Sequence, residues 1–154
     1  MLASPGTPGS DRIYQITAHF QTKDAVHECD VRHSPHCAGN VTGGVNMVYL
    51  SHHCHAPSCL KAELWNADTG ELICRQVPHI GASKTASPTN PYDEQGYIAI
   101  PPCLFSDDAA DGLEPTKFLR YDQNLTSIKW NNNTYYHYGE MAMWQMRGYQ
   151  SYEA

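Results

Sequence analysis

The chain has 154 residues, enough for one domain with a real core and too few for several. A hydrophobic share of 41% with 17% charged residues excludes a chain disordered by composition, and no apolar run approaches the roughly 20 residues of a membrane-spanning helix. The formal charge of −6, with no basic patch to offset it, argues against a nucleic-acid partner, because phosphate binding wants a Lys/Arg surplus.

Met1 to Asp11 is rich in Pro, Gly and Ser and reads as a flexible lead, leaving residues 12–154 as a single β-sandwich domain. Ile13 to Phe20 alternates as a first strand. Asp24 to Asn40 is irregular, broken by Pro35 and Gly39, and dense in His27, Cys29, His33, His36 and Cys37. Val45 to His55 opens on a buried-type run (Met47 to Leu50) and runs into three histidines and two cysteines up to Cys59. Leu60 to Trp65 and Glu71 to Val77 form a hairpin around the turn residues Asn66 to Gly70.

Gly81 to Tyr92 reads as a long loop, and Gly96 to Ile100 as a strand stopped by Pro101 and Pro102. Asp107 to Glu114 is an acidic surface loop without the spacing of an EF-hand. Phe118 to Tyr121, Leu125 to Trp130 and Met141 to Tyr149 supply the last strands. Long helical periodicities are missing and turn signals recur about every 8 to 12 residues, so the expected fold is all-β: an antiparallel jelly-roll sandwich of about eight strands.

Six cysteines suit either a disulfide framework in a secreted protein or a thiolate metal site in a cytosolic one. The absence of a Cys-x-x-Cys motif weakens the second reading. Three Asn-x-Thr sequons, at Asn40, Asn124 and Asn132, favour a secreted, disulfide-bonded glycoprotein. Met1 to Ser10 has neither the charged start nor the apolar core of a signal peptide.

On an extended strand, side chains two apart point the same way, so His53 and His55 share one face and His52 and Cys54 the other. Two imidazoles on one face are half of a metal site, and His52 is left as an outward-facing bystander. A third ligand can come from a histidine (His33, His36, His137), a thioether (Met141, Met143, Met146) or a thiolate. A thioether would favour copper, since it is a soft donor that holds Cu(I), while three imidazoles suit zinc or copper. The spacing alone leaves these alternatives open.

The succession His53-Cys54-His55, Cys74, Gly96-Tyr97-Ile98-Ala99-Ile100-Pro101-Pro102-Cys103 and His137-Tyr138-Gly139-Glu140-Met141 resembles the C-terminal domain of the copper type II, ascorbate-dependent monooxygenases. This is the group of peptidylglycine alpha-hydroxylating monooxygenase and dopamine beta-hydroxylase. The succession is similar also to the plant stress-upregulated nodulin family, and it spans residues 45 to 149.

The resemblance implies an eight-stranded jelly roll holding one copper ion on His53, His55 and the thioether of Met141, with His137 as an alternative or supporting ligand. The activity it implies is oxygen activation and hydroxylation of a C–H bond, with electrons from ascorbate or another external reductant. Those enzymes use two copper domains, whereas this chain has the length of one, so a separate reductant domain is an implied partner.

Proximity pairs Cys54 with Cys59 and Cys29 with Cys37, and a Cys74–Cys103 bridge would tie two strands beside the site. Ten tyrosines, several of them late in the chain, suit strand faces or an assembly surface. The rival function is therefore an extracellular structural subunit, self-assembling into a filament or matrix by strand addition, on the same fold and without catalysis.

Overall fold

Alternating apolar and polar side chains become strands wherever a partner strand can cover one face. The computed structural model describes residues 13–26, 43–55, 58–80, 98–132 and 141–151. Among these residues ten strands follow one another: β1 (Ile13–Gln21), β2 (Gly44–His52), β3 (Cys59–Asn66), β4 (Leu72–Gln76), β5 (His79–Ile80), β6 (Ile98–Ala99), β7 (Cys103–Leu104), β8 (Lys117–Arg120), β9 (Asn124–Asn132) and β10 (Trp144–Ser151). Single 3-10 turns cover Thr22–Ala25 and Ala109–Asp111.

One sheet has the order β1-β9-β3-β4. The other has β2 at its centre, flanked by β10 on one side and by β7 and β8 on the other; β5 and β6 form a two-stranded ribbon. Every ladder between these strands is antiparallel. The expected all-β architecture of two antiparallel sheets is present. Among the described residues, no helix is long and apolar enough to cross a membrane.

The two sheets share one core. Val45, Met47, Leu50 and Leu119 from the β2 sheet pack with Leu64, Ile73, Cys74 and Leu125 from the β9 sheet, and Phe105 and Tyr121 join them. The hairpin turn forms because Asn66 Oδ1 accepts the backbone N–H groups of Asp68 (3.0 Å) and Thr69 (3.2 Å), while Gly70 takes φ +75°, a conformation that costs glycine little. At Gly44 the β2 and β8 backbones approach so closely that a Cβ would collide with the Leu119 carbonyl.

β2 carries a bulge. Arg147 pairs with Tyr49 and Gly148 with Met47, so Val48 has no opposite number in β10. The extra residue switches the face on which later side chains fall. Val45 and Met47 point into the core before it, and Leu50 and His52 after it.

The outer face of the β9 sheet holds a covered charge. Glu63, whose side chain is 4% exposed, pairs with Arg75 (2.8 Å) and Lys61 (3.1 Å) and accepts from Trp65 Nε1 at 3.1 Å. Lys61 in turn lies over the Trp130 ring, 3.9 Å from its centroid. Burial pushes the Glu63 carboxyl up, but hydrogen bonds from Lys61, Arg75 and Trp65 outweigh it and hold the group below its ordinary 4.5.

A carboxyl held low in the folded state contributes stability that is present above its unfolded pKa and lost as pH falls through the folded one. Glu63→Gln is expected to cost about 1–3 kcal/mol at pH 7 by leaving charged donors without their anion. It should also flatten the loss of stability below pH ~4.5. Urea midpoints of both proteins between neutral and acid pH check this, and parallel pH curves would refute the assignment.

Candidate metal centre

The site starts from the polar end of the core. On β9, Leu125, Ser127, Lys129 and Asn131 all point inward and are buried, so the strand runs from an apolar to a polar interior along its length. Buried polar groups need partners. Trp144 Nε1 donates to Ser127 Oγ at 2.8 Å, and Lys129 Nζ donates to the Met141 carbonyl at 2.9 Å. The His52 N–H donates to Gln76 Oε1, and Gln76 Nε2 donates to the Pro101 carbonyl at 2.7 Å. These bonds cross between the sheets and fix both the end of β2 and the segment leading into β10.

His52 is not the outward bystander expected from simple alternation. It is 2% exposed, and its ring meets Trp144 edge-on with centroids 5.0 Å apart. Burial, followed by the positive charge of Lys129, pushes its imidazole down to about 4, so it is neutral at physiological pH. The bulge at Val48 is the reason: it turns His52 inward and leaves His53 on the opposite face.

His53 and His55 lie just past the end of β2, half-buried, with ring centroids 4.7 Å apart and planes at 77°. Their loop is held at several points. The His53 N–H donates to the Met143 carbonyl at 2.8 Å. The His55 carbonyl accepts from Cys59 N–H and from Ser58 Oγ, both at 3.1 Å. A disulfide joins Cys54 to Cys59, closing the loop onto β3, with Cα atoms 5.5 Å apart. Among the described residues no cysteine is free, so thiolate ligation is left without a described donor.

The His53–Met143 bond continues the β2–β10 ladder beyond its last full pair, Trp144 with His52. Counting on in the same register sets Met143 beside His53 and Met141 beside His55. Directly opposite residues of an antiparallel pair project to one side, so the observed bond puts Met143 on the face of His53, and Met141 would follow on the face of His55 if the same register ran on. Met141 and Met143 are 44% and 48% exposed, whereas Met146 packs against the core. The third candidate thioether is thereby separated from the pair.

The spacing of the two imidazoles is compatible with one metal ion between them. Ligating imidazole nitrogens sit about 2.0–2.1 Å from a zinc-sized ion and so within about 4 Å of each other, which rings 4.7 Å apart can satisfy. No group of three or more His, Cys, Asp or Glu side chains suited to a metal occurs among the described residues. His137, the alternative ligand, lies outside the described residues, as do His27, His33, His36, Asn40 and the Cys29 and Cys37 pair.

The other sequence-based candidates fall as follows. Cys74 and Cys103 are bridged, tying β4 of one sheet to β7 of the other. Asn124 opens β9, where its Nδ2 donates to Asp68 Oδ1 at 2.8 Å, and Asn132 closes the same strand. The acidic stretch is an ordered surface loop: Asp107 accepts from the Thr116 N–H at 3.0 Å and from the Tyr149 hydroxyl at 3.1 Å. Sequence reasoning missed Lys129 as the anchor of the Met141 carbonyl. Its place in the inward series Leu125, Ser127, Lys129, Asn131 was the available signal. No family model, curated protein or solved structure matches this chain.

Proposed function

We propose that the protein is an extracellular copper-binding domain in which His53 and His55 supply imidazole ligands and Met141 a thioether. The observation that carries this reading is the pairing of the two imidazoles, centroids 4.7 Å apart, on a loop held by the Cys54–Cys59 bridge and by the Met143 carbonyl. Two imidazoles with a thioether favour copper over zinc, because the soft sulfur stabilises Cu(I) while imidazole serves both oxidation states. The two disulfides among the described residues and the sequons support an oxidising compartment.

Copper bound there would supply oxygen activation toward hydroxylation of a C–H bond, drawing electrons from ascorbate or a comparable reductant. This chain's own contribution is to hold the ligands. His52 and Trp144 lock the strand end, and Lys129 fixes the Met141 backbone by its carbonyl. A jelly-roll connectivity belongs to the same reading.

The test is a competition of Cu(II) and Zn(II) for the metal-free protein, followed by metal analysis and the copper EPR spectrum. One copper per chain with nitrogen hyperfine structure is expected; a chain that takes up no stoichiometric copper sinks the proposal. Oxygen uptake with ascorbate then separates catalysis from binding alone.

A further inference from the structure

The two larger sheets are bordered by β1 and β4 in one, and by β10 and the β7–β8 side in the other. An edge strand offers its outer N–H and C=O groups to any extended chain, and proteins blunt such edges with charge, proline, bulges or shortness. Every border but β1 is blunted in one of these ways. β4 has five residues, Arg75 among them, and a register shift in its ladder with β3. β7 has two residues. β8 has four, including Lys117 and Arg120. β10 carries Arg147 and pairs across the bulge at Val48.

β1 has none of these devices. Its nine residues, Ile13–Gln21, contain no Asp, Glu, Lys, Arg or Pro. They pair with β9 in unbroken register, from Ile13 with Asn132 to Gln21 with Asn124. Among the described residues β9 is its one ladder partner. Thr17, Ala18 and His19 at its middle are exposed, and Ile13, Ile16 and Phe20 are only half-buried.

The order of residues in β1 also identifies the partner. Turned antiparallel on itself about Thr17, the strand sets Ile16 opposite Ala18, Gln15 opposite His19 and Tyr14 opposite Phe20. Directly opposite residues share a face. Ile16, Ala18 and Phe20 lie on the side of the inward β9 residues Lys129, Ser127 and Leu125. Gln15, Thr17 and His19 lie on the outer side, with Trp130, Ile128 and Thr126. Self-pairing therefore joins apolar to apolar on one face and polar to polar on the other, and it opposes no like charges.

We infer that β1 is a docking edge for a second copy of this chain, pairing antiparallel about a two-fold axis at Thr17 and joining two four-stranded sheets into one. The axis uses both β1 edges at once, so the assembly closes as a dimer and does not run on as a filament. A nine-residue ladder is a small interface, in the class below about 1,200 Å², so a micromolar dimer is expected. The metal-site reading plays no part in this inference.

The experiment is sedimentation equilibrium of the full chain over a range of concentrations, with charge placed at the exposed centre of β1. The wild type should show a monomer–dimer equilibrium. Thr17→Lys and Thr17→Glu should each weaken it about fivefold or more, by setting like charges face to face. An equimolar mixture of these two variants should dimerise again, because the axis then brings opposite charges together. Gln145→Lys, at an exposed position of the β10 edge, should leave the dimer at wild-type strength.

A chain that stays monomeric up to about 1 mM overturns the inference. So does association that runs past the dimer, a dimer weakened by Gln145→Lys but not by Thr17→Lys, or a mixture of the Thr17 variants that stays monomeric. Should the Thr17 variants fail to fold, hydrogen exchange of the wild type decides: β1 amides that gain no protection as concentration rises refute the docking edge.

Discussion

Replacing His53 and His55 together by alanine is expected to abolish stoichiometric copper binding while leaving the sandwich folded. Both rings lie beyond the end of β2, so their loss takes nothing from the apolar core. With two of three donors gone, affinity should fall by more than the ~10–100-fold that accompanies loss of a ligand's supporting partner. Met141→Ile separates the thioether from the imidazoles, since it removes the soft donor at an exposed position and keeps the apolar volume. It should weaken Cu(I) about tenfold or more and Cu(II) much less. Met143→Ile is the informative neighbour, because the register places Met143 beside His53 on the same face. A selective loss of Cu(I) in Met143→Ile with none in Met141→Ile would move the thioether assignment by two residues. One copper per chain retained by the double alanine variant would remove the site altogether. Cu(I) competition with a chelator and EPR of the Cu(II) form read both outcomes.

Period-two alternation made much of this fold legible in the residues. Ile13 to Phe20, Leu60 to Trp65 and Leu125 to Trp130 all sit within strands, because a half-covered sheet forces that pattern on its members. The turn at Asn66 to Gly70 was equally readable, since its hydrogen bonds are local and follow from Asn and Gly chemistry. The strands β5, β6 and β7 have two residues each, too few to carry a period; β5 and β6 pair with each other, and β7 pairs with the longer β2. The last strand begins at Trp144, three residues later than its alternating methionines suggest, because pairing starts where β2 ends.

The closeness of His53 and His55 was legible in the sequence and their orientation was not. His53 and His55 are brought together as expected, but the face they occupy depends on an unpaired residue at Val48. A bulge is a property of two strands distant in sequence, and no local pattern around Met47 to Leu50 announces it. His52 is buried for the same reason: its neighbours Trp144 and Gln76 come from other strands. Lys129 is a buried donor, because the polar end of the core is created by contacts that only the assembled sheets supply.

Removing the Cys74–Cys103 bridge, by alanine at both positions, is expected to be the most damaging change to stability considered for this chain. The bridge joins β4 of one sheet to β7 of the other across a sequence separation of 29 residues. Closing a loop of that length in the unfolded chain is worth about 3–4 kcal/mol in the chain-entropy account. Cys74 is also part of the core cluster at 2% exposure, so the substitution removes packed volume. β7 pairs with Tyr49 and Leu50 of β2, two residues short of His52, with the Phe105 N–H donating to the Val48 carbonyl at 3.0 Å beyond it, and the bridge adds the covalent tie to the opposite sheet. The loss should therefore appear in urea unfolding as a lower midpoint, and more mildly as weaker copper affinity. The Cys54–Cys59 bridge provides the contrast, because it closes a separation of only 5 residues next to the imidazoles. Its removal should cost about 2 kcal/mol or less by the same account, yet weaken copper more, by freeing the loop that holds His53 and His55. If the two double variants change stability and copper affinity in the same proportion, neither bridge has the separate role assigned to it: one the staple between sheets, the other the clamp on the metal loop.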